Sequence, residues 1–355
     1  MNGLLAIDAT IAKPPFSGVQ KAVLAEAEAI SSLCPDCHVY GFEPVCNVTP
    51  PSFARTVTGR ILWQQLRLPK LLKSSQASAL FAPGYTCPLH TDVPVILQVH
   101  DIIALEHPEY CSPLNVLHMR TLLPASIRKA HRIVVSTNHV RSRLIAHFPY
   151  AADKTSVIPL GVDFERFSAK PQHPNRFGKP YILFVGNIEP KKGLDILLDA
   201  YDRIASRIVE NLVIAGRIAW KSDRIVSRIR EMERGGKVIM TGRIPEEELP
   251  SIYGNASAFV FPSLEEGFGM PVLEAMAAGT PVIHSDHPAV SEAAGGAGLP
   301  FECGNADSLA SQIYNLLHNK ELYQELSHKG IDRARQSSWQ RFTQALLNLS
   351  NLNND

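Results

Sequence analysis

A chain of 355 residues, 45% hydrophobic and 19% charged, exceeds one ordinary core and has the composition of a soluble globular protein of about two domains. Thirty-five basic residues against 34 acidic ones leave a net charge of +1, which excludes a general field for nucleic acid or another polyanion, so partners must be chosen by local sites. No apolar run approaches the roughly 18 to 20 residues that span a bilayer. The start at Met1 lacks a basic leader and a long apolar stretch. A cytoplasmic protein with reduced, scattered cysteines is therefore expected, and the sequons at Asn47, Asn255 and Asn348 are chance matches.

The elements follow in chain order. The opening run 4–8 reads as a buried strand, and Ser17-Gly18 forms a small loop before a helix over 19–32. Cys34-Pro-Asp-Cys37-His38 matches the pattern of haem attachment, but it occupies a short helix-to-strand loop and reads as a plain turn. Strands are expected at 39–42, 79–82, 95–100, 132–136 and 157–160. Between the second and third strands, residues 60–73 combine Arg60, Arg67, Lys70 and Lys73 with seven apolar residues. That face suits an anionic membrane surface, although Pro69 interrupts it and an ordinary surface helix is the plainer reading.

Three prolines and no apolar period mark a linker at 169–180. Beyond it, strands are expected at 181–186, 212–216, 238–242, 259–263, 282–285 and 298–301. Continuous apolar runs such as Ile-Leu-Phe-Val suit parallel sheets covered on both faces, and strand–helix alternation implies two doubly wound α/β halves facing a central cleft. The amphipathic segment from Trp339 follows the second sheet and has no fixed place in it.

Three segments carry chemistry. In Phe261-Pro-Ser-Leu-Glu-Glu-Gly-Phe-Gly-Met-Pro-Val-Leu-Glu-Ala-Met-Ala-Ala-Gly279, a strand ends, a glycine-containing loop follows, and Pro271 opens a helix. Backbone amides at Gly267, Phe268 and Gly269 then form an anion site with the helix start. Glu266 in the loop and Glu274 one turn into the helix suit the hydroxyls of a ribose or sugar. In Val185-Gly-Asn-Ile-Glu-Pro-Lys-Lys-Gly193, Lys191 and Lys192 stand at the beginning of the next helix, where ammonium groups suit a diphosphate. His100-Asp101 ends an apolar strand at the mouth of the cleft, and polar groups there are costly to bury unless paired. Taken singly, each segment also fits a solvated turn or a buried joint.

Together these segments resemble the family 4 retaining glycosyltransferases. Glu266 and Glu274 stand in that family's signature. Val-His-Asp-Ile (99–102), Ile-Pro-Leu-Gly-Val-Asp (158–163), Leu-Val-Ile-Ala-Gly (212–216), Thr-Gly-Arg-Ile-Pro-Glu-Glu-Glu-Leu (241–249) and Ser-Ser-Trp (337–339) agree in order. The resemblance covers nearly the whole chain.

It implies the two-domain GT-B fold. An acceptor-side domain would span 1–168, completed by a C-terminal helix over 339–355, with a donor-binding domain over 181–338. Glu274 matches the glutamate that holds the donor ribose, and Glu266 with the Gly267–Gly269 amides matches the loop around donor sugar and phosphates. Lys192 matches the lysine that neutralises the leaving diphosphate, His100 the histidine near the scissile bond, and Gly18 the N-terminal glycine loop. Lys191, Asn187 and Arg243 complete the donor-binding set. Asn187 departs from the arginine of many relatives, a deficit that Lys191 or Arg217 is placed to offset.

The implied reaction is front-face substitution with retention, moving a hexose from a nucleotide sugar, GDP-mannose foremost, to a glycan or lipid-linked acceptor of a surface polysaccharide. No cofactor and no metal are expected. A sugar-nucleotide-binding module without turnover and an epimerase of the same architecture are the alternatives. A dinucleotide oxidoreductase is excluded, because no Gly-x-Gly-x-x-Gly follows a strand at a helix start.

Overall fold

The computed structural model describes residues 4–13, 17–44 and 46–350. The chain divides into two compact units. The first holds the residues up to Glu106, Pro113–Gly161 and the chain from Trp339 onward; the second holds His107–Ser112 and Val162–Ser338.

The first unit is built on a six-stranded, wholly parallel sheet. Its strands are β1 (Leu4–Asp8), β2 (His38–Tyr40), β3 (Ala77–Ala82), β4 (Val95–Gln98), β5 (Arg132–Val135) and β6 (Thr155–Val157), in the spatial order β2-β1-β3-β4-β5-β6. Every residue of β4 is buried, as a strand covered on both faces requires. β6 ends before Pro159, which has no N–H to give a ladder, so this strand lies earlier than the apolar run 157–160 suggests. The last helix, Trp339–Ser350, packs on the first unit against the helix Gly18–Leu33, with the Phe342 ring 6.4 Å from Phe81.

The second unit repeats the plan with β7 (Tyr181–Val185), β8 (Asn211–Ala215), β9 (Val238–Gly242), β10 (Ala258–Phe261), β11 (Val282–Ser285) and β12 (Leu299–Phe301), in the order β12-β11-β10-β7-β8-β9. Its helices bury one stripe each: Leu194, Leu197, Leu198, Tyr201 and Ile204 of the helix Leu194–Ile204 all face the sheet at helical spacing. In open sheets of this kind, ligands gather at the carboxyl ends of the strands where the order reverses. Those points are the β1/β3 junction in the first unit and the β7/β10 junction in the second.

Two sequence motifs resolve differently. Cys34 and Cys37 lie in the turn between the helix Gly18–Leu33 and β2; both thiols are unpaired, and no metal-ligating cluster occurs among the described residues. The basic stretch 60–73 is one continuous helical run, Val57–Leu62, a π-helical turn Trp63–Arg67, and Leu68–Ser74. Pro69 does not interrupt it, contrary to the sequence expectation, because the widened turn absorbs the missing N–H. Trp63, Leu68 and Leu72 are buried, while Leu62 and Leu66 stay 50% and 61% exposed. No helix among the described residues is long and apolar enough to cross a membrane.

Candidate active site

The site in the second unit begins where β7 ends. The chain passes Gly186 and forms a 3₁₀ turn, Pro190–Lys192, before Gly193 caps the helix Leu194–Ile204. Lys191 and Lys192 thus precede the helix rather than open it. Gly193 has φ +66°, and a Cβ there would sit 2.0 Å from the Pro262 carbonyl oxygen, so only glycine lets the two loops touch. The Leu264 N–H then donates to the Lys191 carbonyl at 2.8 Å, locking the loop after β10 to the turn after β7.

That contact brings Lys192 and Glu266 together. The Lys192 ammonium donates to Glu266 Oε1, and Ser263 Oγ donates to the same oxygen at 3.1 Å. Burial pushes the Glu266 carboxyl up, but Lys192, Lys191 and the two hydrogen bonds outweigh it and hold the group below its ordinary value. Lys192 also lies 5.6 Å over the Phe261 ring.

Next to the pair, Gly269 takes φ +114° and starts the helix Met270–Ala277, with Pro271 in its first turn. Among the described residues, the N–H groups of Phe268 and Gly269 donate to no protein acceptor, whereas Gly267 already takes part in an interaction within the protein. Two amides at a helix start therefore stand beside Lys192, an arrangement that favours an anion. One turn further, Glu274 Oε2 accepts from the Tyr253 hydroxyl at 2.8 Å. Burial, and then Glu274 itself, push the Tyr253 phenol well above its ordinary value, so it stays a donor and orients the carboxylate. No spacing in the sequence ties Tyr253 to Glu274; only the packing of the helix Leu249–Gly254 does.

Asn187 has a partner that bears on its departure from the expected arginine. Its Oδ1 accepts from Arg217 Nε at 3.1 Å, so the loop after β8 delivers a guanidinium to the position where an arginine is absent. Lys191 instead leans on Glu189 at 3.9 Å. Arg243, beyond the end of β9, is exposed and makes no ion pair or hydrogen bond through its side chain among the described residues.

A brace that sequence reasoning missed steadies the same loop. Glu265 lies between two histidines, with Oε1 3.1 Å from His107 Nε2 and Oε2 3.5 Å from His287 Nε2. His107 in turn meets Glu109 at 3.2 Å through Nδ1. The consecutive glutamates thus point to opposite anchors, Glu266 to Lys192 and Glu265 to the histidines. Residues 107–112 are far from the loop in sequence and carry no motif, which is why they left no signal.

In the first unit, His100 follows β4 and is 6% exposed. Burial lowers its pKa, so the ring is neutral at ordinary pH. A neutral ring facing the Pro83 carbonyl at 2.8 Å must carry its proton on Nε2, which leaves Nδ1 as the acceptor. The Tyr85 ring packs edge-on against it at 5.4 Å, while the Tyr85 hydroxyl donates to Asp101 Oδ2 at 2.7 Å. Gly18 begins its helix exposed, and a Cβ added to it would meet nothing within 4 Å.

The chain is similar to known proteins over both units. The family model described as Glycosyl transferases group 1 matches residues 165–333, and the one described as Glycosyltransferase Family 4 matches residues 19–166. O-antigen chain mannosyltransferase B of Escherichia coli is 30% identical over 70% of this chain and 68% of its own. O-antigen chain mannosyltransferase RfbU of Salmonella typhimurium is 26% identical over 82% of each chain. A crystal structure of a glycosyltransferase from Rickettsia africae superposes with a TM-score of 0.76 at 16% identity, covering 100% of both chains.

Proposed function

Because the chain belongs to the group 1 glycosyl transferases of glycosyltransferase family 4, we propose that it moves a hexose from a nucleoside-diphosphate sugar to a glycan or lipid-linked acceptor, with retention. GDP-mannose is the favoured donor and a lipopolysaccharide-type surface glycan the favoured product, since the relatives at 30% and 26% identity are named O-antigen chain mannosyltransferases. The observation that carries the reading is the Lys192–Glu266 pair at the β7/β10 switch point, beside two amides at a helix start.

In this reading the donor diphosphate takes the Phe268 and Gly269 amides and the Lys192 ammonium, and Glu274, held by Tyr253, takes the ribose hydroxyls. The bond from the anomeric carbon to the diphosphate oxygen breaks while the acceptor oxygen bonds to the same face. The acceptor proton passes to the departing diphosphate. Rate enhancement then rests on stabilising the leaving group's charge and on positioning, with no dedicated base and no cofactor besides the nucleotide sugar. His100, neutral with Nδ1 as acceptor, is assigned to the hydroxyls of the reacting sugar.

A peripheral membrane contact is favoured by one surface of the first unit. Leu62 and Leu66 lie exposed one turn apart, with Arg67, Lys70 and Lys73 also exposed on the same helical run.

The reading is tested by melting the protein with GDP, UDP, dTDP and ADP. A nucleotide at one hundred times its dissociation constant adds about 2.7 kcal/mol of stability. One nucleotide is expected to raise the midpoint selectively, and Glu274→Ala to abolish the rise; no rise with any of the four overturns the donor site. Transfer from the matching sugar nucleotide to a glycan acceptor then separates an enzyme from a binding module without turnover.

A further inference from the structure

The loop after β8 is pinned to the turn after β7. The Ile188 N–H donates to the Arg217 carbonyl at 2.9 Å, and the Ala219 N–H donates back to the Ile188 carbonyl at 3.1 Å. The Ser222 hydroxyl donates to the Ala219 carbonyl at 2.7 Å and closes the turn that follows. Lys221 takes φ +53°, uncommon for a residue other than glycine, and its ammonium donates to the Glu109 carbonyl at 3.2 Å. With Arg217 Nε on Asn187, residues 217–221 are held from several sides, so what they present is fixed in place.

They present apolar surface. Ile218 and Trp220 are 52% and 43% exposed. Val209, the other large apolar side chain left exposed in the second unit, lies before β8, at the opposite edge of the sheet. Of the remaining tryptophans, Trp63 is buried and Trp339 packs on the Phe342 ring at 5.7 Å. Among the described residues, the Trp220 indole has no ring contact and no acceptor for its N–H. An indole left in water adds little to folding. On an anchored loop it is well suited to a flat ligand, because little freedom remains to be lost when the ligand covers it.

Strand order decides which part of a ligand meets this face. In the order β10-β7-β8, Lys192 follows β7, Glu274 lies in the helix after β10 on one side, and Trp220 follows β8 on the other. A nucleoside whose ribose is held by Glu274 leads away from the indole, and the sugar end of the reaction leads toward it. We propose that Trp220 is the platform on which a pyranose ring of the acceptor stacks, so that the acceptor is a glycan read through its sugars rather than a bare lipid phosphate. The inference rests on the reading of the second unit as the donor site of a glycosyltransferase. One face of a pyranose carries C–H groups that fit the electron-rich face of the indole, and a ring hydroxyl accepts from the indole N–H.

The test is fluorescence titration of the full-length protein, saturated with its stabilising nucleotide so that the donor pocket is filled. The probes are the methyl glycosides of mannose, glucose, galactose, N-acetylglucosamine and rhamnose. At least one is expected to change the tryptophan emission saturably, through the indole that is most exposed. Trp220→Phe, which keeps the aromatic face and loses the N–H, is expected to bind the same glycoside more weakly, and Trp220→Ala about tenfold more weakly or not at all, followed for the variants by calorimetry. An unchanged melting temperature and an unchanged nucleotide-induced rise show that Trp220→Ala is folded with its donor site intact. No binding by any glycoside, or equal binding by wild type and Trp220→Ala, overturns the proposal. Loss of the nucleotide-induced rise in Trp220→Ala also overturns it and assigns the indole to the nucleobase. If no nucleotide stabilises even the wild type, the donor reading fails by its own test, and Trp220-dependent glycoside binding by the nucleotide-free protein still decides the sugar platform.

Discussion

Lys192 and Glu266, 74 residues apart in the chain, form an ion pair where the strand order of the second sheet reverses. Both side chains are largely withdrawn from water, 15% and 14% exposed, so solvent and salt screen the pair only in part. Lys192, with Lys191 and the two hydrogen bonds, holds the Glu266 carboxyl below its ordinary value. Under the proposed function, a diphosphate entering the site meets an ammonium already aimed by Glu266, which holds it until the phosphate oxygens take over. Pre-organisation of this kind is what electrostatic stabilisation of a leaving group needs, because nothing has to be reoriented as charge develops.

Removing Lys192 acts twice, on charge development and on folding. Lys192→Ala is expected to lower kcat by roughly 100- to 1,000-fold, the cost of deleting one aimed donor at a developing anion. It also strands the Glu266 carboxylate, so the melting temperature falls. Lys192→Ala combined with Glu266→Ala removes the stranded charge and recovers stability without recovering turnover. Recovery of turnover in the double variant contradicts the assigned role.

Asn187 and Arg217 make a second prediction about charge. If Arg217 supplies the cation that position 187 lacks, Arg217→Ala lowers kcat/KM by about tenfold or more, near 1.4 kcal/mol of transition-state stabilisation. Adding Asn187→Arg to that variant restores most of the loss, because the guanidinium then arises directly after β7. Initial rates of the two variants decide it, and an Arg217→Ala enzyme as fast as wild type removes Arg217 from the site.

The fold was legible because its signals are local. Runs such as those at 95–98 and 181–185 are apolar over their whole length and can sit only in covered parallel sheets, and the structure contains a strand at each of the twelve expected places. Edges were less certain: β6 stops short of Pro159, and Pro69 was absorbed by a π turn that no composition rule announces. The loop from Phe261 to Gly279 was readable as a strand–loop–helix joint because strand, glycines and helix start are contiguous. Tyr253, His107 and His287 were not. Each meets its glutamate across packed elements, and a contact between distant segments leaves no spacing to read.

The exposed leucines of the first unit carry the membrane reading to a direct measurement. Co-sedimentation with vesicles rich in anionic lipid is expected, weakening as salt rises, while vesicles of neutral phosphatidylcholine retain little protein. Leu66→Glu, at a position 61% exposed, places a negative charge on the docking face and is expected to release the protein without changing its melting temperature. Equal sedimentation of wild type and Leu66→Glu would assign this surface to solvent.

Glu26 sets a pH dependence of folding that is independent of the active site. It is fully buried on the helix Gly18–Leu33, where Gln98 Nε2 donates to Oε1 at 2.8 Å and Oε2 has no partner. Burial pushes the carboxyl up to about 8, against a smaller lowering by the Gln98 hydrogen bond, from an ordinary value of 4.5. Between those two values the folded protein keeps a proton that the unfolded chain has released. The contribution to stability is therefore intact below about pH 4.5 and declines as pH rises toward 8, by up to ~1.4 kcal/mol per pH unit. Above 8 both states are ionised and the loss stops growing. Glu26→Gln carries no titrating group and keeps the shape, so its melting temperature relative to wild type should rise steadily from pH 5 to pH 8 and then level. Parallel curves for the two proteins across that range would show that Glu26 is ionised in the folded state, with a charge compensated in the core.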